Sequence, residues 1–325
     1  MTYTQTGRII KMTGGLYTVR LDTAPAAESP LAGHTVDCRA RGNFRHEHTT
    51  PLVGDLVAVQ YDDSSYTRAA DGVTPSEDGT GIMIAEILPR RNSLIRPPLA
   101  NVDTMLVVVA AASPDPDIPT LDKLLTILEF NRIEPVLVIG KAELKPKRAA
   151  KIAALYEKIG YRTFVLSCYT GDGVQAFSDF AHAELKDKIT AVAGASGAGK
   201  STLLNTVFPG LNLVTGDISE KIGRGKNTTR HTELFDLPTG GYIADTAGFS
   251  LLDFERFDFF TLEDLPHTLR EFAPYLGRCR YTDCTHINDE ECAILTAVQT
   301  GDIPRTRHEA YKELYTILKE KKKYK

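Results

Sequence analysis

The chain has 325 residues, of which 42% are hydrophobic and 25% charged, and it contains no tryptophan. This length predicts two or three globular domains, and the net charge of −4 argues against a nucleic-acid-binding protein that is basic all over. No apolar run approaches the roughly 20 residues of a membrane span, and no charged segment leads into an apolar core at Met1–Gln5. We therefore expect a cytoplasmic protein without a signal peptide.

The first part of the chain alternates short β segments with glycine-containing turns. The predicted strands are Arg8–Met12, Leu16–Arg20, His34–Arg39, Leu52–Gln60 and Ile82–Leu88. About five such segments are typical of a small closed barrel. Asp71–Gly81 is polar and predicts a loop between the last two strands, while Arg90–Pro98 predicts a linker. We predict an OB-type β-barrel over residues 1–95.

From residue 104 the pattern changes to continuous apolar runs that alternate with helical stretches. Buried parallel strands are predicted at Thr104–Ala111, Pro135–Ile139, Thr163–Leu166 and Ile189–Ala193, with helices at Leu121–Asn131 and Arg148–Ile159. Continuous apolar strands that alternate with helices are typical of a doubly wound parallel sheet. We predict that residues 96–262 form this α/β domain.

A phosphate-binding loop occupies residues 194–201, whose sequence matches G-x-x-x-x-G-K-[ST] at every fixed position. It follows a predicted strand and precedes a predicted helix that begins near Ser201, as the motif requires. We expect backbone N–H groups to surround phosphate oxygens, Lys200 to reach the β- and γ-phosphates, and Ser201 to ligate Mg²⁺. The predicted nucleotide-binding residues of this loop are Gly194, Ala195, Ser196, Gly197, Ala198, Gly199, Lys200, Ser201 and Thr202.

A D-x-x-G motif follows at the end of another predicted strand, where Asp245 is expected to hold the Mg²⁺ water shell and the Gly248 amide to contact the γ-phosphate. Between the two motifs, residues 223–231 are polar, which is typical of a surface loop or of a mobile switch. As a switch, the segment would close Thr228 or Thr229 on Mg²⁺, with Thr229 as the assigned ligand. The predicted catalytic residues are Lys200, Thr228, Thr229, Asp245 and Gly248.

Two base-recognition motifs lie upstream of the phosphate loop rather than downstream. GTPases read guanine with N-K-x-D after one buried strand and an S-A-type motif after the next. Here the corresponding strand ends carry Gly140-Lys-Ala-Glu143 and Ser167-Cys168. The order of base site, phosphate site and switches indicates a circularly permuted GTPase. The predicted base-side residues are Gly140, Lys141, Glu143, Ser167 and Cys168.

Three of the five cysteines cluster with a histidine near the C-terminus. The spacing Cys279-x4-Cys284-x-His286-x5-Cys292 supplies a complete tetrahedral set for one structural Zn²⁺ without an open coordination position. Reduced, buried cysteines are the alternative. Cys38 and Cys168 stand alone and are expected to be structural. We predict a helical zinc-binding domain over residues 263–325.

The permuted motif order, the N-terminal barrel, the paired switch threonines and the Cys/His cluster resemble the ribosome-small-subunit-dependent GTPase family, RsgA or YjeQ. The resemblance covers essentially the whole chain. It implies GTP hydrolysis to GDP with Mg²⁺, stimulation by the 30S subunit, and a role in late small-subunit maturation. It also implies that the barrel and the zinc domain bind 16S rRNA.

This chain departs from the family pattern at three places. Gly140 and Glu143 replace the Asn and Asp of the guanine motif, so we expect weakened guanine affinity or selectivity. Asn227 stands where a His often precedes the switch threonines, and His231 lies nearby in sequence. Phe249 stands where many GTPases place a water-orienting Gln, so we expect slow intrinsic hydrolysis.

Basic side chains are candidates for phosphate contacts with RNA. They are Arg39, Arg41 and Arg45 in the barrel and Arg278 and Arg280 beside the first cysteine of the cluster. The lysine-rich end, 319–325, is either a solvated helix end or a phosphate-contacting tail. An RNA-binding assembly factor with a diverged nucleotide site is the alternative function. No long heptad pattern is present, so a monomer is expected.

Overall fold

The computed structural model describes residues 2–23, 29–45, 49–69, 72–75, 81–95, 97–211, 232–245 and 258–323. Within these residues, no helix is both long and apolar enough to cross a lipid bilayer. The predicted switch residues Thr228 and Thr229, together with Gly248, Asn227, His231 and Phe249, lie outside the described residues.

The N-terminal part is a closed five-stranded barrel, which confirms the predicted fold. Its strands are β1 (Thr2–Thr13), β2 (Leu16–Leu21), β3 (Thr35–Ala40), β4 (Leu56–Asp62) and β7 (Met83–Ile87). They pair in the order β1-β2-β3-β7-β4, and β4 closes the barrel on the first half of β1. Alternate side chains point inward, so Ile9, Val19 and Val57 are fully buried. The twelve residues of β1 are long enough to pair with β2 at one end and β4 at the other.

Two segments predicted as irregular contain short strands. Within the predicted 71–81 loop lies β6 (Gly72–Pro75), which pairs with β5 (Tyr66–Ala69). The predicted linker at 90–98 contains β8 (Ser93–Leu94), which pairs with β9 (Leu99–Ala100). These strands of two to four residues carry too little periodicity to be recognised from sequence.

The central domain is a six-stranded sheet covered by helices on both faces. The strands are β10 (Thr104–Ala110), β11 (Glu134–Gly140), β12 (Arg162–Val165), β13 (Ile189–Ala193), β14 (Thr232–Asp236) and β15 (Tyr242–Asp245). Their order is β12-β11-β10-β13-β15-β14, and all are parallel except β14. The helices are α1 (Ile118–Phe130), α2 (Pro146–Lys158), α3 (Val174–Glu184) and α4 (Lys200–Val207).

Successive residues of β10 and β11 face opposite sides of this sheet and so belong to two separate cores. Met105, Val107 and Leu137 pack with residues of α1 and α2. Leu106 and Val108 pack with residues of α3 and α4 on the other face. The doubly wound arrangement predicted from the continuous apolar runs is confirmed.

The barrel and the central sheet are joined by strand pairing that sequence reasoning missed. Strand β14 lies between β15 and the end of β1, with Lys11 opposite Glu233 and Met12 opposite Thr232. Lys11 also forms an ion pair with Glu233 at 3.0 Å. The sheets therefore form one continuous hydrogen-bonded surface, and the boundary near residue 95 stays a prediction.

The C-terminal part is helical, as predicted, and packs against α1. It contains short 3₁₀ helices at Leu265–Thr268 and Arg270–Phe272, then α5 (Ala293–Thr300) and α6 (Arg305–Lys323). Arg307 of α6 is fully buried; its Nε donates to Glu271 Oε1 at 2.6 Å, and another guanidinium nitrogen donates to the Asp122 carbonyl at 2.8 Å. A charge removed from water needs such partners, so this network ties α6 to α1.

Candidate nucleotide and metal sites

The phosphate loop lies at the carboxyl end of β13, between parallel strands β10 and β15. Gly194, Gly197 and Gly199 all have positive φ angles. A Cβ atom added at Gly194 would lie 2.3 Å from the Val108 carbonyl oxygen, so only glycine allows the loop to pass β10 this closely. The predicted loop residues therefore follow a path that requires the glycines of the motif.

Lys200 begins α4, and its ammonium group lies back over the loop. Lys200 Nζ donates hydrogen bonds to the carbonyl oxygens of Gly194 at 2.9 Å and Ala195 at 3.0 Å. Gly199 is the N-cap of α4, and the partial positive charge of a helix N-terminus attracts anions. Ammonium and helix end together suit a bound phosphate.

The predicted magnesium side lies on the neighbouring strand. Asp245 ends β15, and its backbone lies opposite Val192, two residues before the loop. Ser201 and Thr202 occupy the first turn of α4, with Ser201 half-buried and Thr202 exposed. The assignments of Ser201 to Mg²⁺ and of Asp245 to the water shell of the ion remain predictions. The roles of Thr229 and Gly248 remain predictions.

The two upstream motifs border a cavity of about 290 Å³ next to the phosphate loop. Its wall includes Gly140 at the end of β11, Lys141 and Glu143 just after that strand, Cys168 after β12, and Thr202 in α4. The Ala142 N–H donates to the Leu166 carbonyl at 3.2 Å and links the two base-side loops. Motifs separated by more than 50 residues in the chain thus meet at one edge of the sheet, where ligands of doubly wound folds bind.

Of the predicted base-side residues, Ser167 is buried within its own loop, whereas Cys168 borders the cavity. Ser167 is 1% exposed, and its Oγ accepts a hydrogen bond from the Thr170 N–H at 3.0 Å, so its side chain braces the loop. Cys168 borders the cavity, and burial raises the pKa of its thiol, which keeps it neutral at physiological pH. Contacts of either residue with a base remain predictions.

Gly140 and Glu143 fit an incomplete guanine motif. An added Cβ at Gly140 would meet only the Ala198 carbonyl oxygen, at 3.8 Å, so the backbone there does not require glycine. Glu143 Oε2 is buried without a hydrogen-bond partner among the described residues. A buried carboxylate oxygen favours a donor, and the N1–H and N2–H groups of guanine are donors of the right kind.

Sequence reasoning missed two apolar residues at this cavity, Leu144 and Tyr169. Both border the cavity, although Tyr169 is 89% exposed and Leu144 is 48% exposed. Each follows a predicted base-side motif directly. An apolar side chain immediately after a polar motif was the signal that could have identified them.

The Cys/His cluster is assembled as its spacing predicts. The ligand atoms of Cys279, Cys284, His286 and Cys292 all lie within 4.8 Å of one another. The sulfur atoms of Cys279 and Cys292 are 3.8 Å apart, and each lies 3.6 Å from His286 Nδ1. Zn–S bonds of about 2.3 Å and Zn–N bonds of about 2.1 Å give tetrahedral S–S and S–N edges of about 3.8 and 3.6 Å. The four residues therefore fit one structural zinc ion.

Surrounding groups hold this cluster in place. His286 has a φ of 59°, and the Thr285 N–H and hydroxyl both donate to Asp289 Oδ2, at 3.1 and 2.7 Å. The Tyr311 hydroxyl of α6 donates to the Thr285 carbonyl at 2.9 Å. Burial raises the pKa of the Cys284 and Cys292 thiols, so charged thiolates here need a bound cation.

The predicted RNA-contacting arginines are partly available. Arg39, Arg41 and Arg278 are exposed, whereas Arg280 forms an ion pair with Glu291. The Arg45 side chain lies outside the described atoms. In the lysine-rich end, Lys321 pairs with Asp258 at 3.0 Å and Lys322 pairs with Glu263. These two ion pairs favour a helix end over a phosphate-contacting tail for those two lysines.

Comparison with known proteins decides the family. A family model described as RsgA GTPase matches residues 87–255, and an RsgA N-terminal domain model matches residues 6–67. A 50S ribosome-binding GTPase model matches residues 189–323. A small ribosomal subunit biogenesis GTPase RsgA from Caldanaerobacter subterraneus subsp. tengcongensis is 38% identical over 98% of this chain and 97% of its own length.

This chain belongs to the RsgA GTPase family. The protein of the same name from Agathobacter rectalis is also 38% identical, over 98% of this chain and all of its own length. As a family member the chain is a GTP-hydrolysing P-loop enzyme, as predicted from the loop and the D-x-x-G motif.

Solved structures of relatives share this architecture over nearly the whole chain. YjeQ from Thermotoga maritima has a TM-score of 0.73 and 30% identity, covering 97% of this chain and 99% of its own. YloQ, described as a circularly permuted GTPase, has a TM-score of 0.70 and 31% identity, covering 98% and 96%. The permuted order inferred from the base motifs of this chain agrees with that description of YloQ.

Proposed function

We propose that this RsgA-family chain acts in late maturation of the small ribosomal subunit and hydrolyses GTP to GDP and phosphate when it docks there. The observation that carries the proposal is the convergence of the base-side loops, the phosphate loop and the end of β15 at one sheet edge. The names of full-length relatives supply the ribosomal context.

The proposed roles follow from side-chain chemistry. The loop from Gly194 to Thr202 surrounds the phosphates, and Lys200 leaves the loop carbonyls to bind β- and γ-phosphate oxygens. Ser201 and Thr229 hold Mg²⁺, which when bound offsets negative charge on the phosphates. Asp245 orients the water around that ion, and the Gly248 N–H binds the γ-phosphate. Glu143 and Lys141 lie on the base side.

We propose that docking to the subunit completes the arrangement that hydrolyses GTP. Asn227 cannot act as a general base and the apolar Phe249 cannot orient water, so contact with the subunit is expected to complete the hydrolytic arrangement. We propose that exposed arginines of the barrel and the zinc domain contact phosphates of 16S rRNA. The protein would act as a monomer in the cytoplasm. The zinc site has four protein ligands and therefore a structural role.

The decisive experiment compares GTP and ATP hydrolysis with and without purified 30S subunits. Strong stimulation of GTP turnover alone is expected. Lys200→Ala serves as the control, because it removes the phosphate-binding ammonium while leaving the barrel and the zinc domain intact. Absence of stimulation, or equal turnover of both nucleotides, would support the alternative of an RNA-binding factor with a lapsed nucleotide site.

A further inference from the structure

The mouth of the base cavity carries an exposed aromatic side chain. Among the described large hydrophobic residues, the two most exposed are Tyr169 at 89% and Leu144 at 48%, and both border this one cavity. Ligand pockets are lined mainly by apolar and aromatic side chains, so two exposed ones that border the same cavity are candidates for contact with its ligand. A flat purine entering here would remove both side chains from water.

The loop that carries Tyr169 is braced before any ligand binds. The Ser167 N–H donates to the Asp172 carbonyl, and the Gly171 N–H donates to the Ser167 carbonyl, both at 2.9 Å. Thr170 Oγ1 donates to Asp172 Oδ2 at 2.7 Å. Because the backbone on both sides of Tyr169 is held, only the two side-chain torsions of the tyrosine remain to be ordered on binding.

The polar part of the cavity offers few contacts with the edge of a base. Gly140 has no side chain, and Glu143 supplies a carboxylate on the base side. Stacking against an aromatic ring is an independent source of affinity, and it is insensitive to base identity because every base has a π face.

We propose that Tyr169 is a base-stacking residue, whose ring covers the purine of the nucleotide in this cavity and supplies affinity that Gly140 cannot. Leu144 adds apolar contact at the same mouth. Tyr169 then contributes equally to guanine and adenine nucleotides, and selectivity depends on Glu143. This inference rests on the proposed nucleotide site.

The absence of tryptophan from the chain makes a direct optical test possible. Tyr169→Trp introduces a single indole at the cavity mouth, and saturating GDP is expected to quench its emission through stacking. Tyr281→Trp is the matched control, since Tyr281 is also exposed, at 46%, but lies beside the zinc ligands. Unchanged Tyr169→Trp emission at saturating GDP would overturn the proposal.

The second test measures the affinity of the full chain for GDP and for ADP, by calorimetry or by competition. Tyr169→Ala is expected to weaken GDP binding by about 5- to 100-fold and ADP binding by a similar factor, while Tyr169→Phe keeps the wild-type affinity. An effect on GDP alone would indicate hydrogen-bond recognition and contradict stacking, as would unchanged affinity in Tyr169→Ala.

The two proposals fail in distinguishable ways. A wild-type chain that binds no nucleotide would overturn the nucleotide site and the stacking together. A wild-type chain that binds GDP and is stimulated by 30S subunits, with Tyr169→Ala indistinguishable from it, would overturn the stacking alone.

Discussion

Gly140 ends β11 beside the base cavity, with room for a side chain that the sequence does not supply. The nearest atom to an added Cβ would be the Ala198 carbonyl oxygen at 3.8 Å, an ordinary contact distance. Position 140 therefore differs from Gly194, where an added Cβ would meet backbone at 2.3 Å. A glycine in a functional motif is structurally required at one position and replaceable at the other.

We predict that Gly140→Asn strengthens GDP binding by about 2- to 10-fold, because an amide side chain restores a hydrogen bond with a net contribution of about 0.5–1.5 kcal/mol. Calorimetric titration with GDP measures the change. Gly140→Ala adds the Cβ without the amide and serves as control. Equal affinities of the two variants would show that no such bond forms.

At the scale of elements, β13, the phosphate loop and α4 form one unit. The path of its loop requires a close approach to the backbone of β10. We predict that Gly194→Ala lowers the free energy of unfolding by about 2 kcal/mol or more and abolishes GDP binding, because φ is +150° and backbone lies in the way. Denaturant titration and calorimetry measure the two effects.

Gly301→Ala is the matched control for Gly194→Ala. Gly301 caps α5 with a φ of +81°, and an added Cβ there meets no atom within 4 Å. Gly301→Ala should lower the free energy of unfolding by about 1 kcal/mol through backbone strain and leave GDP binding intact. Equal effects of the two substitutions would mean that the contact with β10 does not shape the loop.

At the scale of the whole molecule, Arg307 ties the C-terminal helices to α1. We predict that Arg307→Met lowers the free energy of unfolding by about 3–5 kcal/mol near neutral pH, because Asp122 and Glu271 stay buried without their cation. Arg305→Met, an exposed position on the same helix, should have little effect. Denaturant titration compares the two variants.

The loss of unfolding free energy caused by Arg307→Met, called the deficit below, should depend on pH. Desolvation raises the pKa of Asp122 and Arg307 opposes that rise, so loss of the arginine raises this pKa further. A carboxyl group whose folded pKa lies above its unfolded value of about 4 favours the folded state only when protonated. The deficit should therefore shrink as the pH falls toward 4. A deficit that is constant with pH would exclude an unpaired carboxylate as its cause.

The zinc domain attaches to the sheet edge opposite the nucleotide loops. Arg270 Nε donates to Glu129 Oε1 at 2.6 Å, and a second guanidinium nitrogen donates to the Gly160 carbonyl at 2.9 Å. Gly160 precedes the amino end of β12, whereas Gly140 ends β11 and Gly194 follows the carboxyl end of β13. Loss of zinc should therefore leave the nucleotide site intact.

We predict that chelation of zinc, or Cys284→Ser, abolishes binding to 30S subunits while GDP affinity changes little. The structure describes no helix or strand between Phe272 and Ala293, so we expect the shape of this ligand-bearing segment to depend on the metal. Cosedimentation with subunits and GDP calorimetry measure the two functions on one sample. Cys38→Ser, outside the cluster, is the control for thiol removal. Parallel loss of both functions would show that the metal supports the entire fold.

Features formed by residues close together in the chain could be predicted from sequence, whereas features formed by distant residues could not. The zinc ligands lie within 14 residues, and the phosphate loop is one contiguous motif, so spacing alone identified both. Strand β14 was missed because its five residues pair on one side with β1, more than 200 positions away, and short segments carry little periodicity. Helix α3 was also missed, because only Phe177 and Ala181 among its eleven residues are buried and its hydrophobic pattern is weak.

The sequence by itself determined the family, the permuted order of motifs and the chemistry of each ligand set, because these reside in contiguous residues and their succession. Only the tertiary structure decided which residues share a cavity, that Gly140 has open space, and that Tyr169 stands exposed at its mouth. It also placed Arg307 between Asp122 and Glu271. Such contacts join residues distant in sequence, and burial and space arise only when the elements pack together.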